Sequence, residues 1–247
     1  MLAEALAELA RARRLLVVSD FDGVLAPIVD DPAASRPLPV AIDALRAMTV
    51  LPDTFVALVS GRALADLSAL SGLGAPVRLV GSHGAEWSTG PVAGFDAEQA
   101  AVLAGVTDAM EDIADRYAGV TVERKPVTAV LHVRRAARPD AAAATAELER
   151  GLLRWPGLHV THGKEIVEVA VLANDKGAAV VALRSSVAAD AVLFLGDDVT
   201  DEDAFATLGA QDVGVKVGPG ATRAAYRVDT PQHAAAVLTD LVVLRSS

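Results

Sequence analysis

Leu15–Leu25 reads LLVVSDFDGVL, and the rest of the chain is organised around it. Four apolar residues run into Ser19 and then into two aspartates at alternate positions, Asp20 and Asp22, before Gly23 lets the chain turn. Residues two apart on an extended backbone share a face, so both carboxylates leave the carboxyl end of a buried strand toward one small volume. One acid can then attack or bind a cation. The other, beside it at a different effective proton affinity, can donate and accept a proton. Taken alone, the same residues also suit a strand that ends in a solvated Asp-rich turn.

The 247 residues are enough for a substantial core, and two lobes are expected. Hydrophobic residues make up 52% but aromatic ones only 4%, which predicts an Ala, Val and Leu core packed in layers of strands and helices. A net charge of −10 argues against nucleic-acid partners and against an anionic membrane surface. It leaves room for a small anionic substrate where Lys and Arg cluster locally. Cysteine is absent, which removes disulfides, thiol chemistry and thiolate metal sites and suits a reducing cytoplasm. The opening run MLAEALAELARARR carries acids within it and arginines after its apolar part, the reverse of a signal peptide, and reads as an amphipathic helix. No apolar run approaches the roughly 18 residues that a membrane span needs. A monomer is expected.

Working outward, helical spacing at Ile42, Leu45 and Met48 is followed by a strand at 55–59 that ends in Ser60-Gly61-Arg62. A helix at 63–70 and a strand at 77–80 lead to Gly81-Ser82-His83-Gly84. This alternation predicts a Rossmann-like parallel sheet, with functional groups at the carboxyl ends of the strands. From about Asp96 the rhythm changes to helix-strand-strand, twice: a helix at 98–117 with strands at 120–125 and 128–134, then a helix at 140–153 with strands at 159–161 and 166–171. An α+β unit over 96–173, inserted as a cap into a core formed by 1–95 and 174–247, is the expected organisation. The parallel pattern resumes with a helix from Lys176 and a strand at 191–195, then Gly196-Asp197-Asp198-Val199-Thr200-Asp201.

That second acidic cluster repeats the grammar of the first. Two such clusters at neighbouring strand ends gather Asp20, Asp22, Asp197 and Asp201 around one point, and that much negative charge calls for a cation. Hard oxygen ligands favour Mg²⁺. A phosphate can then approach, with the Ser60 hydroxyl and the Lys176 ammonium on its other oxygens. Taken alone, Ser60 also suits a helix N-cap, and Lys176 a surface position at a helix start.

DFDGVL, SGR, KG and GDDVTDEDAF, in this order, resemble the four motifs of the haloacid dehalogenase superfamily of phosphatases. With GSHGAE, VERKPVTAVLHVR and GKEIVEV, the chain resembles the trehalose-6-phosphate phosphatase family from about Leu15 to Tyr226. The resemblance implies hydrolysis of a phosphorylated disaccharide through an aspartyl phosphate. Asp20 would be the nucleophile and Asp22 the acid and base, while Ser60 and Lys176 would hold the phosphate. Mg²⁺ would be bound by Asp20, the Asp22 carbonyl and Asp197, with Asp198 or Asp201 assisting. Gly61, Arg62 and His83 would line the cleft. In the cap, Glu123, Arg124, Lys125, His132, Arg134, Lys164, Glu165 and Glu168 are polar residues on otherwise apolar strands, of which Lys125, His132, Lys164 and Glu165 would meet the sugar by resemblance; Arg124 and Arg134 also suit exposed charges, and Glu123–Lys125 a solvated strand edge. Val24 replaces a more usual Thr and is expected to tune the loop without abolishing activity. Another phosphorylated disaccharide or a glycosyl-glycerate as substrate, a phosphoacceptor signalling module, and a silent sugar-phosphate binder are the alternatives that the residues leave open.

Overall fold

The structure, a computed structural model, describes residues 1–90, 97–125, 127–152, 154–163, 165–171 and 175–247. The chain forms two compact units, Met1–Gly90 with Asp175–Ser247, and Pro91–Asn174. The first unit opens with α1 (Leu2–Leu9), β1 (Leu15–Ser19), α2 (Pro39–Met48), β2 (Thr54–Val59), α3 (Leu64–Ser71), β3 (Arg78–Gly81) and β4 (Glu86–Trp87). The second holds α4 (Ala97–Ala114), β5 (Thr121–Arg124), β6 (Thr128–His132), α5 (Arg138–Leu152), β7 (His159–Gly163) and β8 (Ile166–Ala170). The first then resumes with α6 (Lys176–Val187), β9 (Ala191–Gly196), α7 (Asp201–Ala206), β10 (Val213–Val217), β11 (Tyr226–Val228) and α8 (Pro231–Arg245).

Among the described residues the first unit has one seven-stranded sheet, in the order β11-β10-β9-β1-β2-β3-β4. All pairs are parallel except β3 with β4. β1 lies at its centre and is buried on both faces, as a continuous apolar run in a parallel sheet must be. Leu15 and Val17 face one core layer, with α1, α2 and α8, and Leu16 and Val18 face the other, with α6 and α7. The register decides where the chemistry lies. Ser19 pairs with Leu58 on β2 and with Leu195 on β9, so Asp20, Ser60 and Asp197 emerge at the same edge of the sheet.

The short β4 was not anticipated from sequence. Ser82 and His83 both take left-handed backbone (φ 48° and 56°), which reverses the chain and pairs Trp87 with Val80. Two residues are too few to show a periodicity.

The second unit is an antiparallel sheet, β5-β6-β8-β7, with α4 and α5 on one face. Ala129, Leu131, Val167 and Val169 pack there against Val106, Met110, Ala144 and Leu148. α4 ends at Ala114 rather than at Tyr117, because the chain turns through Gly119 (φ 84°) to enter β5. No helix among the described residues is long and apolar enough to cross a membrane.

Candidate active site

Asp20 follows β1 directly and is 5% exposed. Its amide is bonded to the Leu195 carbonyl (2.9 Å), and its Oδ1 accepts from the Phe21 amide at 2.6 Å. Its Oδ2 accepts from the Lys176 ammonium at 2.7 Å. Lys176, the first residue of α6 and 2% exposed, also donates to Asp201 Oδ1 at 2.8 Å. Gly177 explains how a lysine at a helix start becomes so buried. A Cβ there would lie 2.5 Å from the Asp203 carbonyl oxygen, so only glycine lets α6 press its first turn against α7. Burial pushes the Asp20 carboxyl up, to about 7, against the pull of Lys176. Burial alone would lower the Lys176 ammonium, but Asp20 and Asp201 more than offset it, and the group is held above its usual range.

Asp22 has a different set of partners. Arg62 grips it through Nε to Oδ2 (2.6 Å) and Nη2 to Oδ1 (2.7 Å), and the Ser35 hydroxyl donates to Oδ1 at 3.1 Å. The two aspartates of the DxD pair are thus bound by two different cations. Ser60 is not a helix cap: α3 has Ala63 at that position, and Ser60 Oγ accepts from the Arg62 amide at 3.3 Å. Asp20, Asp22, Ser60, Gly61, Arg62, His83, Lys176, Asp197 and Asp198 line one cavity of about 390 Å³, with Ile28, Val29 and Pro32 at its apolar side.

Asp201 lies outside that lining and is 0% exposed. Its Oδ2 accepts from the amides of Asp197 (2.8 Å) and Asp198 (3.0 Å), which ties down the turn that carries them. The Asp197 carboxylate rests against Gly23, where a Cβ would lie 1.9 Å from its Oδ2 and where the backbone has φ +72°. Both facts demand glycine. Asp198 Oδ1 accepts from the Val199 amide at 2.6 Å.

Three carboxylates, Asp20, Asp197 and Asp201, each offer an oxygen within 4.8 Å of the others. Burial, and after it the neighbouring Asp201, pushes the Asp197 carboxyl up to about 6. An all-oxygen donor set with surplus negative charge fits a hard divalent cation.

In the second unit, polar groups gather on the sheet face away from α4 and α5. Glu123 pairs with Val130, which pairs with Glu168, so all three share that face. Glu168 Oε1 accepts from Lys125 Nζ (3.3 Å) and from the Thr128 hydroxyl (2.9 Å), while His132 Nε2 and Glu123 Oε2 are 2.9 Å apart. Glu165 is placed elsewhere, in the turn between β7 and β8 (φ 63°), with its Oε2 at 3.7 Å from Arg134 Nε. Arg124 faces the helices and pairs with Glu111 through two bonds of 2.8 and 2.6 Å. Lys164 lies outside the described residues.

The trehalose-phosphatase family model matches residues 18–233. The chain belongs to the trehalose-phosphatase family. It is 36% identical to the trehalose-phosphate phosphatase of Mycobacterium marinum, over 90% of this chain and 60% of that protein. It is 35% identical to the bifunctional trehalose-6-phosphate synthase/phosphatase of Thermoproteus tenax, over 90% of this chain and 31% of that one. The chain therefore spans about three-fifths, or less, of the length of these curated relatives. Among solved structures, a trehalose-6-phosphate phosphatase of Aspergillus fumigatus superposes with a TM-score of 0.74 at 27% identity, covering 100% of this chain and 98% of that one.

As a trehalose-phosphatase family member, the chain departs from the sequence expectations chiefly in residues that pattern alone did not single out. Ser35, which bonds to Asp22, reads as one more polar residue in a proline-rich loop. Lys216 reads as the outward position of an alternating strand, yet is 4% exposed and donates to the Asp197 carbonyl. In the second unit Thr128, which pattern passes over, joins Lys125 and Glu168, and the spacing of KEIVEV alone does not favour Glu168 over Glu165.

Proposed function

We propose that this chain hydrolyses trehalose 6-phosphate to trehalose and inorganic phosphate, with Mg²⁺ and through an aspartyl phosphate on Asp20. The observation that carries this reading is the division of labour within the DxD pair: Asp20 is bound to Lys176, while Asp22, in the same cavity, is held by Arg62. In the first step a carboxylate oxygen of Asp20 forms a bond to phosphorus as the bond from phosphorus to the sugar oxygen breaks, and Asp22, protonated on the oxygen it frees from one of its two Arg62 bonds, gives that proton to the sugar oxygen. In the second, Asp22 takes a proton from a water that attacks phosphorus, and the bond between Asp20 and phosphorus breaks. Lys176 and the Ser60 hydroxyl hold the phosphoryl oxygens in both steps.

Asp20, the Asp22 carbonyl and Asp197, with Asp198 or Asp201 assisting, are the groups that would hold Mg²⁺. When bound, the ion supplies the positive charge that lets a phosphate approach three carboxylates. The polar face of the second unit, with Lys125, Glu168, Thr128, Glu123 and His132, offers the donors and acceptors that a sugar's hydroxyls need when they leave water. We assign the second unit, Pro91–Asn174, the role of substrate-specificity cap on a catalytic core, and the activity to the cytoplasm.

The test is phosphate release from trehalose 6-phosphate with and without Mg²⁺, alongside a panel of other phosphorylated disaccharides and glycosyl-glycerates. Expected are Mg²⁺-dependent turnover, highest on trehalose 6-phosphate, and its loss in Asp20→Asn. Equal or faster turnover of another phosphosugar would remove the substrate assignment, and an active Asp20→Asn would remove the mechanism.

A further inference from the structure

Lys216 sits on β10 opposite Gly196 of β9, with Val215 and Val217 turned to the core layer on the other side of the sheet. A lysine so deeply buried is costly unless its ammonium has partners. Here the ammonium donates to the main-chain carbonyl of Asp197, the first residue of the second acidic cluster. That residue is then held at three points. Its amide is bonded to Asp201, its carboxylate rests against Gly23, and its carbonyl is bonded to Lys216.

We propose that Lys216 is a positioning residue for the divalent cation: it fixes the peptide after Asp197, and through it the direction of the Asp197 carboxylate. The proposal rests on the reading above that Asp197 helps to hold Mg²⁺. Nothing in the motifs of the chain assigns Lys216 this role.

Two effects of the ammonium oppose each other. Its charge disfavours a nearby cation, whereas its hydrogen bond prepares the ligand. The geometry ranks them: the Lys216 ammonium is bonded to the Asp197 main-chain carbonyl rather than to its carboxylate, so its charge meets the backbone and not the ligand oxygens. The bond to the carbonyl is direct. Positioning therefore outweighs repulsion, and removal of the donor weakens the metal site.

The experiment is a calorimetric titration of the full chain with Mg²⁺ alone, in wild type, Lys216→Met and Lys216→Gln, with kcat and KM for trehalose 6-phosphate measured in parallel. Lys216→Met keeps the shape without the donor, and its Mg²⁺ affinity is expected to fall by about 10- to 100-fold, the usual effect of losing a partner that orients a metal ligand. KM for the phosphosugar and kcat at saturating Mg²⁺ stay within about threefold of wild type, a split that a general loss of structure does not produce. Lys216→Gln keeps an N–H and drops the charge, and recovers part of the loss. Unchanged or tighter Mg²⁺ binding in whichever of the two variants folds overturns the proposal. A wild-type chain that binds no Mg²⁺ and releases no phosphate overturns the functional reading as well, whereas an active, Mg²⁺-dependent wild type with an unaltered variant overturns this proposal alone.

Discussion

Arg62 and Asp22, forty positions apart in sequence, meet as a bidentate pair, with the guanidinium carbon 5.5 Å from the centre of the Phe21 ring. The fork fixes Asp22 in plane and in rotation, and a lysine cannot reproduce it. If Asp22 is the proton donor, its aim matters most for a sugar leaving group, which departs poorly without a proton. Arg62→Lys is expected to lower kcat/KM for trehalose 6-phosphate by about 10- to 100-fold, and to lower it much less for an aryl phosphate whose leaving group needs no proton. Equal losses on the two substrates would mean that Arg62 serves binding rather than the acid.

Lys176 carries the opposite risk. It bridges two carboxylates that are themselves almost completely enclosed, Asp20 and Asp201. Removing one partner from a buried ionic cluster leaves uncompensated charge, which costs about 3–5 kcal/mol. Lys176→Met should therefore lower the unfolding free energy, measured by urea titration of metal-free protein, by that amount and abolish turnover. Mg²⁺ should return part of the lost stability in the same titration, because it replaces the missing positive charge.

Asp197, whose carboxyl is raised from 3.8 to about 6 by burial and by Asp201, contributes its own share to the pH dependence of stability, beside that of Asp20. An acid that binds its proton more tightly when folded costs the folded state stability once it ionises. The cost is absent below about pH 4, grows as the pH rises, and is complete above about pH 6. Asp197→Asn removes it. In metal-free protein, the variant's Tm minus that of wild type should therefore increase from pH 4 to pH 6 and then level off. Saturating Mg²⁺ should erase or reverse the difference, since only the wild type gains the ligand. A difference that is flat with pH would show that Asp197 is not under electrostatic strain.

What made the sheet legible was burial on both faces: LLVVS, ALV and VLFLG are apolar runs that fit only a covered parallel sheet, and their polar sequels fall at one edge because strand register allows nothing else. The DxD pair and the second acidic cluster were legible for the same reason. Contacts made across the fold were not. Arg62 finds Asp22 only because Ser19 is in register with Leu58, and no local pattern records that. Lys216 was hidden by the alternation VGVKV, in which a lysine looks like a solvent-facing residue until α7 is packed over that side. In KEIVEV the two acids look equivalent. Parity separates them, since Glu168 lies opposite Val130 within the sheet while Glu165 falls in the turn before it.

That parity gives a test of the proposed sugar-binding face. Glu168 is half-buried between Lys125 and Thr128, so its carboxylate is already oriented and partly stripped of water before any ligand arrives. Glu165 is exposed, and among the described residues the Arg134 guanidinium lies 3.7 Å from it. A hydroxyl that donates to an oriented carboxylate gains a charge-assisted bond, and truncating that carboxylate forfeits it. Glu168→Gln is expected to raise KM for trehalose 6-phosphate by about tenfold and to leave kcat/KM for a small aryl phosphate unchanged, because the aryl compound has no second sugar. Glu165→Gln is expected to change neither by more than about twofold, as an exposed carboxylate has little preorganised binding to lose. If the two variants behaved in the opposite way, the ligand-facing side of this sheet would have to be the turn between β7 and β8, not the face that carries Lys125, Thr128 and Glu168.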